Sequence, residues 1–198
     1  MDIDTIVRHW GEIDIAPLAA AVAAQEEAAW NEHMERQKDY EVHRQTQSIV
    51  LLFANLDNWP AIEVVRQPGW NRLANVAVPL MDSIIERWYP PGGRVIRAMI
   101  AKLPPEGRID PHRDMHPSFG CGHRIHAPIQ TNDRVRFTVD GRPHRLKVGE
   151  VYEINNKKMH SVINKGSTDR IHFIFDYVPL DKEPGGAPAN RPEATNIR

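Results

Sequence analysis

Arg134-Val-Arg-Phe-Thr-Val-Asp-Gly-Arg-Pro-His-Arg-Leu-Lys-Val148 is the stretch on which the fold turns. Val135, Phe137 and Val139 alternate with polar residues, as a half-buried strand requires. Pro143 to Val148 continues the alternation on the far side of Asp140-Gly141, a pair suited to the tight type I′ hairpin turn. More short strands of the same kind surround it: Val95–Leu103 and Ile125–Gln130 before, Val151–Ile154, His160–Asn164 and Arg170–Val178 after. Regular short strands with turn residues between them predict a sandwich or barrel of jelly-roll type.

Upstream the pattern is different. Residues 16 to 38 predict a helix with Pro17 in its first turn and Leu18, Val22, Ala29, Trp30 and Met34 along one apolar face. Ser48 to Ala54 predicts a buried strand, and residues 57 to 72 a connecting loop. Val78 to Trp88 predicts a second helix with Pro79 near its start, ended by Tyr89-Pro-Pro-Gly-Gly93. The expected fold class is therefore mainly β with supporting helices. It forms one domain over residues 1–180, with helical support over 1–94, a β core over 95–180 and a loose, flexible tail over 181–198.

Composition narrows the function. A formal net charge of -1 argues against a nucleic-acid binder with a broad basic surface. The sequence has neither an apolar run of membrane-spanning length nor the charge and apolar pattern of a signal peptide at its start. Cys121 is the only cysteine, so no internal disulfide is possible and the expected compartment is the cytoplasm.

The chemistry concentrates at Asp110-Pro-His-Arg-Asp-Met-His116. His112 and Asp114, two apart on an extended segment, point the same way and can share one ion. His160, 46 residues after Asp114, can complete two histidines and a carboxylate, the open-sided arrangement of non-haem Fe(II) oxygenases. Arg113, between the ligands, points the other way. Arg124 and His126 share one strand face, and Arg170 and His172 share another. A buried guanidinium needs an anion, and it matches a carboxylate with two parallel bonds. Small carboxylates, or structural acids such as Asp176 and Glu150, are the alternatives.

These residues resemble the aspartyl/asparaginyl β-hydroxylase family of Fe(II)- and 2-oxoglutarate-dependent oxygenases, which includes stand-alone bacterial proline hydroxylases. The motifs are H-R-D at 112–114, R-I-H at 124–126, G-E at 149–150, H-S-V-I-N at 160–164 and R-I-H-F-I-F-D at 170–176. The resemblance covers roughly residues 95 to 178. It implies a double-stranded β-helix of the jelly-roll, cupin-like kind. It also implies Fe(II) held by His112, Asp114 and His160, and 2-oxoglutarate bound by Arg170, with Arg124 and His126 at positions around co-substrate and substrate. Catalysis would rest on the metal centre alone, with O₂ consumed and 2-oxoglutarate converted to succinate and CO₂. The animal aspartyl hydroxylase lacks the triad carboxylate. Asp114 places this sequence with the members that keep it.

Candidate substrate contacts are Arg44, Gln47, His116 and Lys102, with His123 assigned to a loop and His43 and His144 to the surface. Asn155 and Asn156 suit a turn, and Trp59, Trp70 and Trp88 suit packing. The expected substrate is an Asp or Asn residue of a peptide or protein. A free amino acid such as proline and a non-catalytic cupin-like binding module are the alternatives.

Overall fold

In the computed structural model, residues 1–32 and 44–184 are described. The strands run β1 (Val7–Glu12), β2 (Gln47–Asn55), β3 (Glu63–Arg66), β4 (Arg94–Leu103), β5 (Arg108–His112) and β6 (His123–Gln130). They continue as β7 (Val135–Val139), β8 (Arg142–His144), β9 (Glu150–Ile154), β10 (His160–Asn164) and β11 (Arg170–Val178). The helices are α1 (Ala16–Ala23), α2 (Pro68–Trp88) and the short α3 (Ser118–Cys121), with 3₁₀ turns at Glu27–Asn31 and Leu180–Lys182. A major sheet, ordered β1-β9-β6-β11-β4-β2-β3, faces a minor sheet, ordered β5-β10-β7-β8. All pairings are antiparallel. The jelly-roll expectation holds.

The opening hairpin holds as well. Asp140 and Gly141 both have positive φ, 50° and 75°, as the type I′ turn demands. Val139 then pairs with Arg142, and Phe137 with His144. The second arm is shorter than expected. β8 stops at His144, although Leu146 still turns into the core.

Alternation sorts the major sheet into two faces. Ile125, Ala127, Phe173, Phe175, Ala98 and Ile100 point outward and pack under α1 and α2. The opposite face turns toward the minor sheet. There Leu103, Tyr152 and Ile154 meet Ile109, Phe137, Val139 and Val162. Helices therefore cover the major sheet from outside, and the site lies between the sheets.

Several expected elements change. Helix α2 begins at Pro68, ten residues before the expected start, and Pro79 lies inside it. Leu73, Ala77, Leu80, Met81 and Ile84 form a continuous buried stripe along it. Burying that stripe offsets the roughly 3 kcal/mol that an interior proline costs. The first helix ends at Ala23, and a 3₁₀ turn carries Ala29 and Trp30 onto the sheet instead. Met34 and the rest of 33–38 lie outside the described residues, as do His43 and most of the expected tail. Residues 1–94 also supply strands. β1 joins β9 at one edge of the major sheet, and β2 and β3 complete the other. The mixed polarity of Val7–Glu12 and the four residues of Glu63–Arg66 hid two edge strands.

Candidate metal centre and adjoining pocket

His112 ends β5, and His160 begins β10 directly opposite it in the pairing register. Their rings lie 4.3 Å apart, centroid to centroid. Asp114 follows two residues past the end of β5, where its N–H donates to the carbonyl of Asn156 at 3.2 Å. One ligand atom from each of the three side chains lies within 4.8 Å of the others. Arg113, between them, is exposed.

The donor set fits a first-row divalent metal. His112 Nδ1 meets the carbonyl of Asp110 at 2.8 Å, and His160 Nδ1 meets that of Lys158 at 3.0 Å. Each carbonyl fixes a tautomer with the proton on Nδ1 and leaves the Nε2 lone pair for an ion. His112 Nε2 lies 4.0 Å from Asp114 Oδ1. Burial lowers the His160 pKa, and the nearby Asp114 opposes that shift only in part. The imidazole is thus kept neutral, as a ligand must be.

Beside the triad, alternation on the inner face of the major sheet presents Arg124 and His126 from β6, Arg170, His172 and Asp176 from β11, and Arg97 from β4. Arg170 is 2% exposed, and its Nη2 pairs with His172 Nδ1 at 2.8 Å. Its Nε is one of three buried side-chain polar atoms among the described residues that make no hydrogen bond. Another is His144 Nε2, and both side chains line one pocket with Phe137, Leu146, His172 and Asn132. Its polar wall can receive a carboxylate, and Phe137 and Leu146 give it an apolar side. His126 meets His172 with its Nδ1 at 3.4 Å and packs edge-on against Phe137. Burial, then the Arg170 charge, pushes the pKa of both histidines well below the usual imidazole range.

Arg124 has a different setting from the expected one. Its guanidinium bonds to protein carboxylates, to Asp176 at 2.9 Å through both Nε and Nη2, and to Asp114 at 2.6 Å through Nη1. The structural acid named as an alternative partner is the one it meets.

Two expected substrate contacts lie on the wrong face of the major sheet. Lys102 shares the helix side with Ala98 and Ile100. There its Nζ sits 4.4 Å from the Trp30 ring centroid and 3.2 Å from Glu27. Gln47, its partner in register, bonds Glu27 and Asn31. Strand alternation turns both away from the triad. Arg44 is exposed just before β2. His116 is half-buried. Its ring stands edge-on to Trp59, and its Nδ1 meets the backbone and hydroxyl of Ser118.

His123 is the first residue of β6 rather than a loop residue. It is buried, with Nδ1 2.5 Å from Glu153. His144, expected at the surface, is half-buried in the pocket wall. Its sign in the sequence was its place opposite Phe137 across a two-residue hairpin. Asn155 does build its turn, accepting the N–H of Lys157. Burial raises the Cys121 thiol pKa, which suits an inert sulfur.

The family model for aspartyl/asparaginyl β-hydroxylases matches residues 8–179. The chain belongs to that family. It is accordingly a 2-oxoglutarate-dependent oxygenase that uses Fe(II). No curated protein matches it in sequence. Its fold is similar to a 2OG-Fe(II) oxygenase family oxidoreductase of Burkholderia pseudomallei (TM-score 0.59, 14% identity, 88% of this chain and 80% of that one). It is also similar to a prolyl hydroxylase of Trichoplax adhaerens solved with a hypoxia-inducible-factor peptide (TM-score 0.58, 10% identity, 91% and 86%). A third is the non-haem monooxygenase ThoJ, solved with nickel (TM-score 0.55, 13% identity, 96% and 86%). At these identities the likeness is one of fold.

Proposed function

We propose that this oxygenase hydroxylates the side chain of an Asp or Asn residue in a peptide or protein. His112, Asp114 and His160 hold Fe(II), and Arg170 receives the distal carboxylate of 2-oxoglutarate. The observation that carries the site assignment is the pairing of His112 with His160, each pinned through Nδ1 to a backbone carbonyl, with Asp114 beside them. Two neutral imidazoles and one carboxylate fill one side of an ion and leave the other open to exchangeable ligands.

Bound iron and 2-oxoglutarate supply the oxidising chemistry. O₂ is consumed, 2-oxoglutarate becomes succinate and CO₂, and one oxygen atom enters a substrate C–H bond. The chain's own residues organise the reactants. The buried Arg170 fork, oriented by His172, anchors a carboxylate. His144 offers a second polar atom in the same wall, and Phe137 excludes water from it. His126 and His172, kept neutral, add no competing positive charge.

The family supports Asp or Asn as substrate. One cysteine and the absence, among the described residues, of a helix long and apolar enough to cross a membrane agree with work in the cytoplasm. The test is succinate release with Fe(II), 2-oxoglutarate and O₂. Alongside it, peptides and free amino acids, proline included, are screened by mass for gain of one oxygen. Oxygen added to an Asp- or Asn-containing peptide is the expected result. Product from free proline alone would overturn the substrate assignment. No succinate under any condition would overturn the assignment of the site.

A further inference from the structure

One row of charge crosses three neighbouring strands of the major sheet. Asp176 on β11 stands opposite Arg97 on β4 and opposite Arg124 on β6. All three are largely buried, with Asp176 and Arg97 at 3% and 5% exposure. Arg97 Nη1 donates to Asp176 Oδ2 at 3.2 Å. Arg124 grips the same carboxylate with its fork, Nε to Oδ1 and Nη2 to Oδ2, both at 2.9 Å. Its remaining nitrogen, Nη1, leaves the row and donates to Asp114 Oδ2 at 2.6 Å.

We propose that Asp176 is a positioning residue for the metal centre: through Arg124 it fixes the carboxylate of Asp114. The inference rests on reading His112, Asp114 and His160 as the iron site. Asp114 follows the end of β5, so no strand pairing of its own orients it. A free carboxylate can rotate and offer either oxygen, or both, to an ion. The Arg124 bond holds Oδ2 and leaves Oδ1 turned toward His112. Arg124 can do this only while its own long side chain is held. The two-bond grip of Asp176 holds it, because the planar fork fixes the direction of the third nitrogen. Charge points the same way. Two guanidiniums and two carboxylates balance, and without Asp176 the cations of Arg97 and Arg124 would face each other in the interior. The ring of Phe119 lies against both guanidiniums, its centroid 4.5 and 4.6 Å from their central carbons.

A merely structural Asp176 would neutralise Arg97 and stabilise the fold without influence on the ion. Mn(II) binding to the full chain, followed by its electron paramagnetic resonance signal without co-substrate, separates the two roles. Wild type should bind one Mn(II), and His160→Ala should lose it. If wild type binds none, or His160→Ala keeps it, the iron-site reading falls and this inference with it.

Asp176→Asn should raise the Mn(II) dissociation constant about 10- to 100-fold, the usual effect of losing a group that orients a ligand. Arg97→Met removes the other partner of Asp176 and should leave Mn(II) affinity within about twofold of wild type, whatever its effect on stability. Two results overturn the proposal with the iron site intact. One is an Asp176→Asn protein that binds Mn(II) like wild type. The other is equal weakening by Asp176→Asn and Arg97→Met. If Asp176→Asn does not fold, Arg124→Lys decides, since an ammonium cannot grip Asp176 with a fork and reach Asp114 as well. The same 10- to 100-fold loss is expected, at order of magnitude, and wild-type affinity would refute the relay.

Discussion

The two sheets hold their functional groups by different means. On the minor sheet, the two histidines proposed as metal ligands sit at strand ends, and backbone carbonyls of the residues two before them orient both. On the major sheet, the groups lie within strands, deep in the interior, and side chains orient one another: Arg124 on Asp176, Arg170 on His172. Backbone anchoring suits ligands that must stay neutral and directed. Side-chain anchoring suits cations that need anions or acceptors at close range in a medium where an unpaired charge is costly. The site is the seam between these two modes. Substitutions on the minor sheet should therefore remove the metal, and those on the major sheet should change how the partners of the metal are held.

The largest effect is expected where the minor sheet supplies its first ligand across the seam. His160→Ala should abolish Fe(II)-dependent succinate formation and leave the fold intact, since His160 occupies the first position of β10 and its backbone pairing does not need the ring. Circular dichroism and succinate assay, run together, check both halves. Residual iron-dependent turnover would mean that the minor sheet does not hold the metal.

Next comes Arg170 on the major sheet, the proposed receptor of the 2-oxoglutarate carboxylate. Arg170→Ala should raise the 2-oxoglutarate requirement by ~100-fold, as the loss of charge-assisted bonds worth about 3 kcal/mol implies. Metal affinity should change far less, because Arg170 lies in a different sheet from His112 and His160 and its Nη2 pairs with His172. A 2-oxoglutarate titration at saturating Fe(II) measures the first, and Mn(II) binding the second. An unchanged 2-oxoglutarate requirement would return Arg170 to a structural role.

The ten-residue spacing from His160 to Arg170 depends on the turn that joins the sheets. Asn164 is fully buried there, donating to the carbonyls of Leu103, Pro104 and Thr168 and accepting from Gly166 and Asn132. Asn164→Ala leaves those groups unmatched and should cost roughly 2–3 kcal/mol of stability. Urea unfolding measures it. A loss well under 1 kcal/mol, on the same scale, would show that water replaces the side chain and that the turn holds itself.

How far the sequence could be read follows the same division. The Arg–His pairs were legible because strand alternation fixes which side chains share a face, and His112 and Asp114 because they lie two apart on one extended stretch. The hairpin at Asp140-Gly141 was legible because only a few residues tolerate two successive positive φ angles. What could not be read depends on contacts far apart in sequence. Lys102 and Gln47 lie on the helix side because β4 pairs with β2 in a register that no local pattern reveals. Asp176 meets Arg124 across 52 residues, so the choice between this acid and a small carboxylate is decided only once the strands are paired. Pro79 suggested a helix start because a local rule was applied where a long buried stripe overrode it.

The smallest effect sharpens the comparison through pH. His172 is buried beside Arg170, and both burial and that charge lower its pKa well below the imidazole value of 6.5. It is neutral in the folded protein, whereas in the unfolded chain it takes up a proton below about pH 6.5. Its contribution to stability is therefore complete above that pH and declines as the pH falls below it. The decline is on the order of 1 kcal/mol per pH unit for a single group. His172→Asn keeps an acceptor for Arg170 and cannot be protonated. Between pH 7.5 and 5.5, its unfolding free energy should fall less steeply than that of wild type, by about 1 kcal/mol in total. Parallel slopes for the two proteins would mean that the folded state protonates His172 as readily as the unfolded one. The side-chain anchoring assigned to the major sheet would then fail at this residue.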